Sequence, residues 1–208
     1  TVMIGEIRYA EAALATIEVA LSGNAVWATI HAADALGIIQ RLDVQLRSRV
    51  ADPLNIVCDP IVLSGLVFQR LVPKLCPYCK IRLKDHPDAI APDLLDRLRN
   101  SMPEDCLDEV CIRGSGCEHC MESGHPGLHR QTVVAEVIAV DRQLLALLRQ
   151  RQHEEAKQYW LSDLGGMTYL EHARHLIMSG VLDPAITEEM LAMPINADVE
   201  SGKRGQHA

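Results

Sequence analysis

The sequence predicts an α/β fold with an inserted cysteine-rich module and a helical C-terminal end. Apolar strand-like segments alternate with helical patterns over residues 1–75, which is typical of a parallel sheet packed with helices. Residues 76–128 are rich in Cys, Pro, Gly and charge, and helix signals dominate after residue 140. Hydrophobic residues make up 48% of the 208 residues but aromatic residues only 3%, so the core must consist mainly of aliphatic side chains.

Two short apolar segments predict buried strands. Residues 1–5 (TVMIG) run into Glu6, and residues 25–30 (AVWATI) run into His31. In a parallel sheet, functional groups gather just beyond the carboxyl ends of the strands. Glu6 and His31 both stand at that position and are therefore candidate site residues.

Helices are predicted between and after these strands. The alanine-rich segment 9–21 contains strong helix formers, and Gly23 follows at the position of a C-terminal cap. Residues 56–75 are interpreted as a helix followed by a strand. Between these segments, apolar residues recur at three- and four-residue steps, which predicts a helix with one apolar face: Leu36, Ile39, Leu42 and Leu46.

The C-terminal part predicts one more apolar segment and three helices. The apolar segment covers residues 132–140, and a helix follows over 141–151. A second helix over 168–179 opens with the capping box Thr168–Glu171. The last helix, 183–191, starts at an Asp-Pro pair, which suits the first turn of a helix.

Four of the seven cysteines form two Cys-x-x-Cys pairs, Cys76–Cys79 and Cys117–Cys120. Each pair brings two sulfur atoms to one side of a tight turn, and two pairs complete the tetrahedral four-thiolate shell that Zn²⁺ prefers. Such a closed shell is structural, because it leaves no open position for a substrate. The alternative is chance spacing of four thiols. Weaker candidate ligands are Cys106, Cys111, His119, His125 and His129.

Charge and hydropathy argue against several classes of protein. The formal net charge is −8, which disfavours nucleic-acid binding through phosphate neutralisation. The chain has no run of about 18 or more apolar residues, as a membrane-spanning helix requires, and no export signal opens it. It starts at Thr1 within an apolar run, so we expect the protein to begin further upstream.

Glu6 and His31 have a chemical interpretation if they act together. A carboxylate at the end of an apolar strand can hold Mg²⁺ or orient the attacking water in phosphate hydrolysis, and an imidazole can sense the phosphate. Taken singly, a strand-end Glu is often only solvated, and a strand-end His is often only a hydrogen-bond partner.

Several motifs, in the same order, resemble the ATPases that drive type II secretion and type IV pilus assembly. Gly5-Glu6-Ile7-Arg8 resembles the end of that family's Walker B motif, and Ala28–Asp34 (ATIHAAD) resembles its histidine box. Arg41-Leu42 falls where the family has a similar pair. The other matches lie in the zinc module and the C-terminal part: Gln69–Cys79, Gly116–Cys120 with Gly124 and Gly127, Val134–Ile138 and Gly165–Thr168.

The resemblance covers about residues 1–192, with three departures. Tyr9 stands where the family usually has Asp, and the histidine box reads His-Ala-Ala-Asp rather than His-Thr-Asn. Leu128-His129 also lengthen the usual step between Gly127 and the following Arg130. These departures leave the branch of the family open among secretion, pilus and conjugative-pilus systems.

The resemblance implies the C-terminal part of a RecA-type P-loop ATPase core, in a motor that powers pilus assembly or type II secretion. It assigns Glu6 to Mg²⁺ and the attacking water, and His31 to the γ-phosphate of ATP. It places Arg8 and Arg41 in the same cleft or at a subunit boundary. It also implies a homo-hexamer, cytoplasmic and peripheral at the inner membrane, whose zinc module docks on the inner-membrane platform protein.

One family motif does not occur in the 208 residues, namely the phosphate-binding loop Gly-x-x-x-x-Gly-Lys-Ser/Thr. The family has that loop before Walker B, so we expect it upstream of Thr1 and expect this chain to be inactive alone. Whether the chain acts as an enzyme therefore stays open. The alternative is a non-enzymatic, zinc-stabilised interaction module that joins or regulates such a ring. A metal-dependent redox enzyme is a more distant reading.

These features divide the chain into four predicted segments. Residues 1–75 form the second half of the ATPase core, and residues 76–128 form the zinc module, which has too few apolar residues for a core of its own. Residues 129–193 are the closing strand and C-terminal helices, and residues 194–208 are a disordered tail. Half of an α/β layer exposes a sheet edge and one apolar face, which favours aggregation of the isolated chain.

Overall fold

A computed structural model of the chain describes residues 1–121 and 124–199. Strands and helices are interspersed along it, as predicted for an α/β fold. The strands are β1 (Val2–Glu6), β2 (Val26–Thr29), β3 (Gly65–Leu75), β4 (Ile81–Arg82), β5 (Cys111–Ile112) and β6 (Leu128–Ala139). The helices are α1 (Ala10–Leu21), α2 (Gly37–Leu46), α3 (Pro53–Val57), α4 (Pro92–Ser101), α5 (Glu118–Met121), α6 (Arg142–Arg149), α7 (His153–Ser162), α8 (Tyr169–Met178) and α9 (Pro184–Leu191).

The chain forms two compact units. The first unit consists of Thr1–Phe68 and Glu136–Met167, and the second of Gln69–Ala135 with residues 168–199, as far as the structure describes them. β3 pairs with β6, and both strands pass from one unit into the other along the chain.

The first unit opens with the predicted strand–helix–strand element, and β1 pairs with β2 in parallel. However, these are not the buried strands that the sequence predicts. Met3 lies opposite Trp27, and the two side chains are 71% and 62% exposed. In the described part of the chain this sheet has two strands, and α1 packs against it through a face that includes Ala13 and Ile17. The open apolar face expected for half of an α/β layer is therefore present.

Helix α7 was not predicted. Its buried residues are Ala156 and Trp160, a single pair four residues apart, so the apolar spacing carries little helix signal. The helix starts of the second unit, in contrast, are confirmed. The Thr168 hydroxyl accepts a hydrogen bond from the Glu171 N–H at 3.0 Å, and the Asp183 carboxylate accepts one from the Ile186 N–H at 3.0 Å.

The cysteine-rich segment does not stand apart from the C-terminal helices. Leu83, Leu94 and Leu98 pack in one apolar core with residues of α8 and α9 and with Ile195. The segment builds no core of its own, as expected from its composition, but it contributes to a larger core that the composition does not reveal.

The prediction of a disordered tail from residue 194 is wrong for residues 194–199. Ile195 is fully buried in the core of the second unit, and Asp198 forms an ion pair with Arg174 at 2.5 Å. The burial of Ile195 depends on packing against residues elsewhere in the chain, such as Leu98 and Ile177, so the local sequence gives little signal for it. Residues 200–208 of the predicted tail lie outside the described residues.

Candidate functional site

Glu6, Arg8 and His31 lie together at the carboxyl ends of β1 and β2. Nε2 of His31 is 3.2 Å from Oε1 of Glu6, and the Arg8 guanidinium donates to Oε2 of Glu6 at 2.6 Å. Parallel pairing explains this proximity, because Glu6 is the partner of Thr29, two residues before His31. Three of the four residues predicted to serve a phosphate site are thus adjacent in space.

A β-bulge sets the direction of the Glu6 side chain. The register of β1 against β2 shifts between Ile4 and Glu6, and the ladder then continues with a hydrogen bond from the Ile7 N–H to the Thr29 carbonyl at 2.7 Å. Bulges commonly re-aim a side chain at the end of a strand. Gly5 lies between Ile4 and Glu6 and is therefore the residue at which the register shifts.

The Arg8 guanidinium favours the ionised form of Glu6. The hydrogen bond from Arg8 lowers the pKa of Glu6 below its usual value, partial desolvation opposes the shift, and the charge of Arg8 adds to it. The His31 side chain is 91% exposed and the Glu6 side chain 26%, so an incoming phosphate can reach the imidazole directly. The group presents one carboxylate, one exposed imidazole and one exposed guanidinium within a short distance, which suits a bound cation and a phosphate.

Arg41 is on α2 and is exposed. In the described part of the chain, no ion pair or hydrogen bond joins it to Glu6. The same helix nevertheless approaches the group one turn later, where the Gln45 amide donates to the carbonyl of Arg8 at 3.3 Å.

Two acidic residues that were not predicted as site residues hold the loop after His31. Glu136 is 4% exposed, and its carboxylate accepts a hydrogen bond from the Ala35 N–H at 2.7 Å. Asp34 accepts one from the Gly37 N–H at 2.6 Å. The signal for Glu136 was its position between apolar residues in Val134–Ile138, because a buried carboxylate requires a hydrogen-bond partner.

The four paired cysteines come together as one cluster in the second unit. All four sulfur atoms lie within 4.8 Å of one another. The Cys76–Cys117 and Cys79–Cys120 sulfur pairs are 3.8 Å apart and the Cys117–Cys120 pair is 3.9 Å apart. Zn–S bonds of about 2.3 Å in a tetrahedron place the sulfurs about 3.8 Å apart. The donor set and its spacing therefore fit Zn²⁺.

Backbone amides and burial shift the pKa values of two of the thiols in opposite directions. The N–H of Cys117 donates a hydrogen bond to the Cys120 sulfur at 3.1 Å. This bond is the main cause of the lowered pKa of Cys120, about 7, and a hydrogen bond from the Gly127 N–H adds to it. Burial, followed by hydrogen bonds among the thiols, raises the pKa of Cys79 to about 12. Of these two thiols, Cys120 has the lower pKa and loses its proton more readily.

The weaker candidate ligands do not join the cluster. Within residues 1–121 and 124–199, the group with metal-ligand spacing consists of the four cysteines. His119 instead stacks on Tyr78 with ring centroids 3.9 Å apart. Cys111 is buried beside the backbone of Glu109.

Within the described residues, no helix is long and apolar enough to cross a membrane.

Comparison with known proteins identifies the class to which this fold and these sites belong. A family model described as "Type II/IV secretion system protein" matches residues 1–192. The chain belongs to that family.

The chain is similar to two named members in particular. It is 33% identical over 196 residues to the type IV pilus assembly ATPase PilB of Thermus thermophilus, covering 93% of this chain and 20% of that protein. It is 31% identical over 157 residues to the type II secretion system ATPase E of Vibrio cholerae, covering 76% of this chain and 28% of that protein. The chain therefore spans less than a third of the length of these relatives.

The fold is similar to that of a solved ATPase. The X-ray structure of the ATPase DotB from Legionella pneumophila superimposes with a TM-score of 0.55 at 16% sequence identity, covering 91% of this chain and 38% of that one. At this identity the likeness concerns the fold alone, a mixed α/β arrangement.

Proposed function

We propose that this chain is the C-terminal part of an ATPase motor that powers type IV pilus assembly or type II secretion. The observation that carries the proposal is the contact of Glu6 with both Arg8 and His31 at the carboxyl ends of two parallel strands. Two similar family members are named ATPases, which supports the same activity here. In this proposal a RecA-type core is completed by residues outside the chain, including the phosphate-binding loop.

The roles of the residues follow from their charges. Glu6 would hold Mg²⁺ or orient the attacking water, since a glutamate side chain is ionised at neutral pH. His31 and Arg8 turn from Glu6 towards the γ-phosphate of bound ATP, and this exchange of partners frees the carboxylate. The same exchange reports the presence of the γ-phosphate to the rest of the subunit.

The partners follow from the family and the surface. We place the protein in a homo-hexamer on the cytoplasmic side of the inner membrane, with Arg41 in the nucleotide cleft or at a subunit boundary. The four-cysteine module holds structural Zn²⁺ and docks on the inner-membrane platform protein. A net charge of −8 disfavours a nucleic-acid partner.

Replacing Glu6 by Gln tests the motor. In the product of the complete reading frame that contains this chain, E6Q is expected to lower kcat for ATP hydrolysis by about 100- to 10,000-fold, the range for loss of an acid–base group. The expected change in nucleotide affinity is small, because Gln keeps the shape of Glu. The matched control is Glu11→Gln on α1, where Glu11 pairs with Arg49 on the surface. Equal loss of activity in both variants would contradict the role of Glu6.

A second candidate is a non-enzymatic, zinc-stabilised module that joins or regulates a ring. It is favoured by one sequence observation, that the phosphate-binding loop does not occur in the 208 residues. If the complete reading frame also encodes no such loop, and E6Q leaves ring assembly and ATP turnover unchanged, this second candidate stands in place of the motor.

A further inference from the structure

Two glycines beside the four-cysteine cluster occupy positions that no side chain can enter. A Cβ on Gly114 would lie 1.8 Å from the carbonyl oxygen of Cys79. A Cβ on Gly127 would lie 2.3 Å from the carbonyl oxygen of Gly114, and Gly127 has a φ of +76°. Both obstacles are backbone atoms, so rotation of a side chain cannot relieve them. The backbones of Cys79, Gly114 and Gly127 thus form a close-packed stack.

Gly127 also bonds to both Cys-x-x-Cys turns through its backbone. Its N–H donates to the sulfur of Cys120 at 3.2 Å, and its carbonyl accepts the N–H of Cys76 at 2.9 Å. One residue therefore couples the backbone of the first turn to a sulfur of the second.

Arg113 ties this stack to the rest of the second unit. Its side chain donates from Nε to the carbonyl of Pro126 at 2.7 Å, which holds the residue before Gly127. Its N–H donates to Asp183 at 2.7 Å, the residue that caps α9. The stack is thus held by hydrogen bonds on both sides.

We propose that Gly114 and Gly127 are positioning residues for the metal of the four-cysteine site. The stack sets the separation of the two Cys-x-x-Cys turns, and the Gly127 amide orients the Cys120 sulfur and stabilises its negative charge. The inference rests on the metal site proposed above. It goes beyond the four ligands, because it assigns metal affinity to two residues that carry no ligand atom.

The first test compares two alanine variants of the same loop. Gly127→Ala is expected to weaken Zn²⁺ affinity about 10- to 100-fold, the usual effect of changing a partner of a metal ligand. Gly124→Ala is the matched control, because Gly124 has a similar φ of +72° but nothing within 4 Å of its added Cβ. Affinities are measured by competition with a chromophoric chelator. Equal affinities of the two variants would overturn the proposal.

The second test uses the unaltered chain, since a backbone clash can also prevent folding. When an NMR-active cadmium isotope occupies the site, a scalar coupling is expected between cadmium and the amide proton of Gly127, transmitted through the Cys120 sulfur. Bound cadmium with no coupling to Gly127 would overturn the positioning role and leave the metal site intact. A chain that binds neither cadmium nor zinc would overturn the metal site and this inference together.

Discussion

Chelation of the metal is expected to expose the four cluster thiols, together with buried Cys111 of the same unit, and to remove most of the stability of the second unit. Structural zinc sites contribute about 10–16 kcal/mol in small zinc-finger peptides, whereas a whole domain is stable by about 5–15 kcal/mol. The apolar core around Leu98 and Ile177 can compensate for only part of such a loss. The unit is therefore expected to unfold at much lower temperature without metal.

Thiol titration before and after chelation measures this effect, because the other cysteines act as internal references. Half-buried Cys106 is expected to react in both states. Cys58, in the first unit, is fully buried, and burial raises its pKa to about 11, so it stays unreactive unless that unit also unfolds. The four cluster thiols, and with them buried Cys111 of the same unit, are expected to react only after chelation.

Cysteine variants test whether the four paired cysteines bind a metal ion or have their spacing only by chance. Cys79→Ser is expected to abolish the binding of about one metal ion per chain, whereas Cys106→Ser is expected to retain it. If the unaltered chain contained no metal and all its exposed thiols reacted freely, the four-cysteine site would be excluded and the family assignment would rest on the other motifs.

Replacing Arg174 by Met is expected to destabilise the second unit by about 3–5 kcal/mol, the usual effect of removing one partner of a buried ion pair. The Arg174 and Asp198 side chains are 9% and 14% exposed. Arg174 binds Asp198 through two nitrogens and also donates to the carbonyl of Ile195 at 2.7 Å. Its removal therefore leaves a carboxylate and a carbonyl without their main donor.

Urea unfolding followed by far-UV circular dichroism measures this change, because Trp27 and Trp160 both lie in the first unit and do not report on the second. The control is Arg99→Met, since Arg99 and Asp96 form a pair that is exposed on both sides and such pairs contribute little. The double variant Arg174→Met with Asp198→Leu is expected to be more stable than Arg174→Met alone. Equal stabilities of the Arg174 and Arg99 variants would contradict a role for the buried pair.

The pH dependence of the second unit's stability tests whether the ionised form of Asp198 stabilises the fold. Burial opposes ionisation of Asp198, but hydrogen bonds from Arg174 and Thr168 outweigh it and lower the pKa of Asp198. A carboxyl whose pKa is lowered on folding stabilises the protein above its unfolded pKa, about 3.9 for Asp. This stabilising contribution is lost as the pH falls below that value towards the folded pKa. The Arg174→Met variant is expected to lack this decrease in stability at low pH.

The candidate phosphate site could be predicted because its residues stand at the ends of strands. The apolar runs before Glu6 and His31 indicate two strands, and parallel pairing of those strands brings the two side chains within 3.2 Å. The contribution of Glu136 was harder to predict, because its partner Ala35 is far away in the chain. A buried carboxylate can be suspected from its apolar neighbours, but its partner cannot be read from them.

The sequence by itself determined the features that depend on neighbours within a few residues. These are the order β1, α1, β2, α2 at the start of the first unit, the caps at Thr168 and Asp183, and the two Cys-x-x-Cys turns. Hydrogen bonds and side-chain directions within one helical turn fix such features, so a local pattern is enough.

Only the tertiary structure decided which surfaces are buried and which distant residues meet. It left Met3 and Trp27 exposed on two apolar strands, buried Ile195 in the predicted tail, and joined Gly127 to both cysteine turns. Burial depends on what the rest of the chain places against a residue, and long-range hydrogen bonds join groups with no shared local pattern. That is why β1 and β2 were predicted correctly in order and wrongly in burial.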